Sequence, residues 1–340
     1  MTWMRSSRTA SRRAASFLNA WVEHLSEHAR HLRANGKTLS APVALVYVPD
    51  TGAHARDHRW KLSAMLGVSE REEMAGKLAV GSSEVGGCTH PTLFQDLQTL
   101  EDAIRAAGLG NSPTVVLATE LRLIVWGHGI DGQGQPSINE LGGGAVTVDL
   151  RSIEQELDRF YEGVARQTTS WWKKAAERIT IEQPEARVQY DLWIWLMSKF
   201  SVAARVRQED KIGNGRTDLT IFPLDTSGGN QSAVLELKTV RDVRTPKSTN
   251  AKLIKISPQD NTAWATSGLQ QTATYRDDLK INGAFLCVYD FCAGDGKALM
   301  AVIDPIAGRF QVVARRFWIT ASHEEHRKDR YPLPAPPVLP

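Results

Sequence analysis

Three residues carry the chemistry that this sequence suggests most directly: Asp218, Glu236 and Lys238. Asp218 lies in the run Thr217–Phe222, where alternation sends Leu219 and Ile221 to one side and Asp218 and Thr220 to the other. A second run, Ala233–Thr239, sets Leu235 and Leu237 on one face and Glu236 and Lys238 on the other. Pairing the two runs as a hairpin predicts that Asp218 joins Glu236 and Lys238 on a single side. Two carboxylates brought together repel at neutral pH and raise each other's pKa. A divalent cation relieves that stress, and Mg2+ is held by one or two carboxylates while keeping several waters. A metal-activated water, a lysine that orients or deprotonates it, and a cation that neutralises charge on a phosphate oxygen amount to phosphodiester hydrolysis. A bare Glu-x-Lys on a strand has a simpler use, a solvated face with a cross-strand ion pair. The surrounding elements therefore decide between the two.

Those elements come in a definite order. Val188, Leu192, Trp195/Leu196 and Phe200 recur at helical spacing and predict a helix over 185–199, with Glu185 in its first turn after Pro184. Asp191 is a second acid nearer the middle of that helix. Val202–Arg207 reads as a strand, and Gly215-Arg216 stands just before Asp218. After the Glu-x-Lys strand, a helical segment carries Gln271-Thr272-Ala273-Thr274-Tyr275, and Gly283–Phe291 (GAFLCVYDF) is a strongly apolar strand.

Asp218, then Glu236-x-Lys238, with these neighbours from Glu185 to Phe291, resembles the PD-(D/E)XK, or restriction-endonuclease-like, nuclease superfamily. The resemblance implies an α/β fold: a C-terminal core with a central mixed sheet flanked by helices, and a smaller N-terminal α/β domain. It implies that Asp218 and Glu236 bind metal with help from the carbonyl of Leu237. Lys238 positions the attacking water or stabilises the phosphate. Glu185 is the helix acid, with Asp191 competing for that role. Gln271 contacts the lysine or the substrate backbone, with Tyr275 beside it. Mg2+ is the expected cofactor, with Mn2+ as a substitute. The expected partner is nucleic acid, DNA ahead of RNA, with a homodimer or partner subunits consistent with cutting two strands. The proline of the family's name is replaced by Thr217. A nuclease module joined to an extra domain is similar in architecture to effectors of bacterial defence or mobile-element systems. The alternative is a catalytically silent nuclease-fold subunit that binds nucleic acid within a larger complex.

Composition sets the frame. The chain has 340 residues, 42% hydrophobic and 23% charged, enough for about two cored domains. No apolar run approaches the ~18–20 residues of a membrane-spanning helix. Three cysteines exclude a disulfide scaffold. The net charge of +3 leaves any basic surface to local clustering. One such cluster is Lys238, Arg241, Arg244, Lys247, Lys252 and Lys255, interrupted only by Asp242 and suited to phosphate contacts. Arg315-Arg316-Phe317-Trp318 is a second: its Arg and Trp can stack on unpaired bases, and a strand with alternating faces, the commoner case, explains it as well. The N-terminal arginines precede an amphipathic helix (Ala14, Phe17/Leu18, Trp21, Leu25, Leu32) rather than a signal segment, so a cytoplasmic location is expected.

The N-terminal part, residues 1–165, alternates strand and helix signals. These are strands at Ala41–Val48, Thr114–Ala118, Leu121–Trp126 and Ala145–Leu150, and a helix at Pro91–Ala107. Its role is recognition, sensing or oligomerisation. A helical stripe follows at Ile153, Leu157, Phe160 and Val164, and Trp171–Ile179 is expected as another helix. The nuclease-like domain takes 166–330, and the Pro-rich segment 331–340 is expected to be an extended tail. Cys88, His90, His54 and His58 lack the spacing of a zinc site, and no phosphate-binding glycine loop is present.

Overall fold

The computed structural model describes residues 2–64, 74–82, 86–141, 147–166, 168–209, 211–212, 215–225, 229–245, 253–294 and 296–330. The expected tail at 331–340, Gly142–Gly144 and the middle of the basic loop, with Lys247 and Lys252, lie outside these residues. The chain is mixed α/β and divides into two units: 1–146 with 194–204, and 147–193 with 205–340.

The first unit contains α1 (Thr2–Ala34), β1 (Val43–Tyr47), α2 (Thr51–His58), β2 (Lys61–Ala64), β3 (Leu78–Gly81), β4 (Gly86–Thr89), α3 (Leu97–Ala106), β5 (Thr114–Leu117), β6 (Arg122–Trp126) and β7 (Ser137–Glu140). They form a seven-stranded sheet in the order β2-β4-β3-β1-β5-β6-β7. Only β1 and β3 are parallel; the other pairs are antiparallel. The apolar run at β1 is buried throughout because both its faces are covered. Phe17 of α1 meets Tyr47 on one face, with ring centroids 5.6 Å apart. Ala44 and Val46 join Leu100, Ile104, Trp60 and Phe94 in a core on the other.

The second unit begins with α4 (Leu150–Phe160), β8 (Trp172–Lys174), β9 (Ile179–Thr180) and the first part of α5 (Pro184–Phe200). It continues with β10 (Ala204–Gln208), β11 (Lys211–Ile212), β12 (Gly215–Arg216), β13 (Leu219–Pro223), β14 (Ala233–Val240), β15 (Val243–Arg244) and β16 (Ile254–Lys255). It ends with α6 (Pro258–Leu279), β17 (Gly283–Asp290), α7 (Lys297–Phe310), β18 (Val313–Trp318) and α8 (His323–Arg330). The main sheet runs β10-β13-β14-β17-β18. β13 and β14 are antiparallel, whereas β14, β17 and β18 are parallel, joined through α6 and α7.

Alternation sorts β14 and β17 between two cores. Val234, Val240, Leu286 and Val288 pack under Ala265 and Leu269 of α6. On the opposite face Tyr289 meets Phe160, Trp171 and Phe317 at ring-centroid distances of 6.5, 5.9 and 5.2 Å. α6 is started by Ser257, whose hydroxyl caps the Asp260 N–H while the Asp260 carboxylate reaches back, with Pro258 in the first turn.

Several elements differ from the sequence reading. The division falls near residue 147 rather than 165, because α4 packs with the second unit: Arg315 pairs with Asp158, and Phe160 lies in the aromatic core. Trp171–Ile179 is not a helix. Trp172–Lys174 and Ile179–Thr180 form a short antiparallel hairpin, closed by Arg178 in the left-handed region at φ 52°. The segment 147–149 leads into α4, with Asp149 as its cap, instead of forming a strand. Arg315 and Arg316 are ion-paired inside the unit, to Asp158 and Asp290, and Phe317 is buried, so these side chains are engaged within the fold.

Candidate active site

The antiparallel register of β13 and β14 pairs Leu219 with Leu235 and Ile221 with Ala233. One step further along the same register sets Asp218 opposite Glu236, on the face that also carries Lys238. That face is not solvated. Glu236 is 4% exposed and Lys238 3%, because α6 lies across them. The solvated ion-pair reading of Glu-x-Lys therefore fails here. Buried charges of this kind are expensive unless they are paired and hydrogen-bonded.

The pairing is incomplete. Lys238 Nζ donates to Glu236 Oε1 at 2.5 Å and sits 4.7 Å from the centre of the Trp264 ring. Glu236 Oε2 is buried with no hydrogen-bond partner among the described residues. Asp218 Oδ2 accepts the Leu237 N–H at 2.7 Å. The backbone of Asp218 is fixed separately: Gln189 of α5 and the Glu209 N–H both donate to its carbonyl, at 2.8 and 3.1 Å.

Glu185 comes to the same end of the site. Its Oε2 accepts the Thr239 N–H at 3.1 Å, and Trp264, Lys238 and Arg241 are close enough to stabilise its charge. Burial raises the pKa of Asp218, Glu236 and Glu185. For Asp218 the neighbouring Glu236 charge adds to burial and carries the carboxyl up to about 8. For Glu236 and Glu185 the Lys238 ammonium works the other way. Repulsion between the carboxylates is real, as their types predict, but removal from water is the larger cause.

The remaining predicted residues divide. Asp191 is not in the site: it accepts from the Trp171 indole at 2.7 Å and from Arg187 at 3.1 Å. Gln271 lies on the same stripe of α6 as Gly268 and Tyr275, but it is exposed and makes no hydrogen bond to Lys238 among the described residues. Tyr275 is buried and its hydroxyl accepts the Arg216 N–H at 3.2 Å, tying α6 to the strand just before Asp218. Leu237 engages Asp218 through its amide.

Two residues of α6 that the sequence did not single out shape the site. A Cβ on Gly268 would lie 3.0 Å from both Cγ and Cε of Lys238 and 2.7 Å from Leu286 Cδ1, so only glycine lets the lysine stem pass. Trp264 bridges Lys238 and Glu185 while staying 46% exposed. In the sequence, neither residue sits in a recognisable motif.

The donor set can be tested against Mg2+. Among the described residues no group of three or more His, Cys, Asp or Glu side chains is disposed to hold a metal ion. Two facing carboxylates with an unpartnered buried oxygen fit a site that supplies one or two carboxylates and leaves the remaining positions to water. They do not fit a closed, all-protein cage of the zinc type.

No protein-family model matches this chain, and comparisons with curated proteins and with solved structures return no match.

Proposed function

We propose that the second unit is a metal-dependent phosphodiester hydrolase of the PD-(D/E)XK nuclease type, acting on nucleic acid. The observation that carries this reading is Glu236 Oε2, a carboxylate oxygen sealed from water with no partner among the described residues, on the strand facing Asp218. A buried acceptor left unpaired costs about 1–3 kcal/mol. Such a cost is explained by a ligand that takes the oxygen up. Asp218 and Glu236 would hold Mg2+ or Mn2+, which supplies Lewis-acid stabilisation of charge on the phosphate.

The chain's own residues do the rest. Lys238, held between Glu236 and the Trp264 ring, presents an ammonium that orients the attacking water or neutralises a non-bridging phosphate oxygen. Glu185 positions the end of β14 through the Thr239 N–H and balances the charge of Lys238. Arg241, half-buried beside Glu185, and Arg244, exposed on β15, add positive charge near the same strand end and favour phosphate contacts. The order of elements supports the reading: a helix bearing Glu185, the Asp218 strand, the Glu-x-Lys strand, then α6 and the apolar β17, in one mixed sheet.

The test is cleavage of supercoiled, linear and single-stranded DNA, and of RNA, in Mg2+ and in Mn2+, with Lys238→Ala as control. The proposal expects cleavage by the intact protein, DNA ahead of RNA, that is lost in the control. Salt-sensitive binding without cleavage under any metal would establish the silent binding subunit instead.

A further inference from the structure

Trp264 is placed where a core tryptophan would not be. It sits in the second turn of α6 and is 46% exposed, while the Lys238 ammonium beside it is only 3% exposed. An indole left in water this far gains little from the hydrophobic effect. Yet the ring is not loose. Its indole lies beside the Glu185 carboxylate and favours its charged form, and the Lys238 ammonium rests against its face, 4.7 Å from the ring centre. Two polar anchors thus hold a large flat surface at the rim of the Asp218–Glu236 pair. The segment leading into it is similar in character: Leu253 and Ile254 are exposed at 43% and 39%, and Arg244 and Lys255 lie on the paired strands β15 and β16.

We propose that Trp264 is a stacking platform for an unpaired nucleobase, and that the substrate of this site is single-stranded nucleic acid or a frayed strand end rather than intact duplex. This rests on the hydrolase reading above and specifies its substrate class. The physical case is direct. A base within a duplex spends both its faces on its neighbours, whereas an unstacked base can give one to an aromatic ring without regard to sequence. A ring fixed beside the carboxylates selects a strand whose base next to the reacting phosphate is already free. The nearby Lys and Arg residues supply the backbone contacts that accompany such stacking.

The experiment measures binding with EDTA present, so that hydrolysis plays no part. Labelled single-stranded and duplex DNA and single-stranded RNA are titrated with the intact chain, Trp264→Leu and Trp264→Phe. Loss of one base–aromatic stack weakens binding by about tenfold or more. Trp264→Leu is expected to lose that factor for single strands and to leave duplex binding unchanged. Trp264→Phe keeps a π-face and drops only the indole N–H, so it is expected to retain most of the single-strand affinity. Unchanged single-strand binding in Trp264→Leu overturns the proposal. So does an equal loss for single strand and duplex, or a Phe variant as weak as the Leu variant. Crosslinking of a 5-iodouracil strand to the unmutated protein guards against misfolded variants: an adduct at Trp264 supports the proposal, and adducts confined to other residues contradict it. Cleavage in Mg2+ is read separately. Trp264-dependent single-strand binding with no cleavage refutes the hydrolase reading alone, and Lys238-dependent cleavage indifferent to Trp264 refutes the stacking platform alone.

Discussion

Asp218→Asn should make the metal-free protein more stable at alkaline pH. The Asp218 carboxyl is carried up to about 8 in the folded chain, first by burial and then by the Glu236 charge. In the unfolded chain it ionises near 4. Between those two values the folded state binds more protons than the unfolded state, so stability falls as pH rises across the window and levels off above it. Full ionisation of such a group would cost about 6 kcal/mol. Asp218 keeps some contact with water, so about 6 kcal/mol is an upper bound and the expected cost is a few kcal/mol. Asparagine removes the charge and still offers an oxygen to the Leu237 N–H, so the 2.7 Å bond can be kept. Urea unfolding at pH 6 and pH 8.5 in EDTA reads the effect. The wild-type midpoint should drop between the two pH values, and the Asp218→Asn midpoint should move much less. Adding Mg2+ at pH 8.5 should stabilise the wild type and leave the variant unaffected, because binding to the native state raises stability by mass action. A variant less stable than the wild type at pH 8.5, or the same pH slope in both proteins, would show that the carboxylates are not under the stress described.

Three further outcomes follow from the same geometry. Lys238→Met leaves Glu236 buried without its cation and should cost about 3–5 kcal/mol in EDTA, measured by denaturant unfolding, with a smaller loss in Mg2+. Gly268→Ala pushes a methyl into the Lys238 stem and Leu286, so it should cost about 1–3 kcal/mol and lower cleavage more than global stability explains; circular dichroism and initial rates separate the two. Tyr275→Phe removes the acceptor of the Arg216 N–H and should cost about 0.5–1.5 kcal/mol by thermal unfolding, with little change in KM.

Much of the site could be read from period-two alternation alone. Asp218, Glu236 and Lys238 share a face because β13 and β14 pair in the expected sense, and the apolar β17 follows as its composition requires. α6 was less legible. Its buried side includes Asn261, Gly268 and Thr272, so its core stripe does not look apolar, and Trp264 and Gly268 carry no signal before their neighbours are known. Gln271 shares the stripe that faces the site yet points into water, a distinction that spacing does not make. The Trp171–Ile179 hairpin was hidden for another reason. Its conformation is held by long-range bonds, with Arg178 donating to the Phe291 and Cys292 carbonyls and pairing with Glu325. In the sheet of the first unit the apolar strands β1, β5 and β6 were legible, whereas β2, β3, β4 and β7 were not, because each is short and carries no long apolar run.

The central question for this site is whether Glu236 holds a metal that drives phosphodiester cleavage. Single-turnover cleavage of an end-labelled DNA strand by the intact chain, across a Mg2+ titration and beside Glu236→Gln, addresses this directly. The account predicts a rate that saturates with Mg2+ and falls about a hundredfold or more in Glu236→Gln. Cleavage that is indifferent to Mg2+, or a Glu236→Gln protein as active as the wild type, would contradict it.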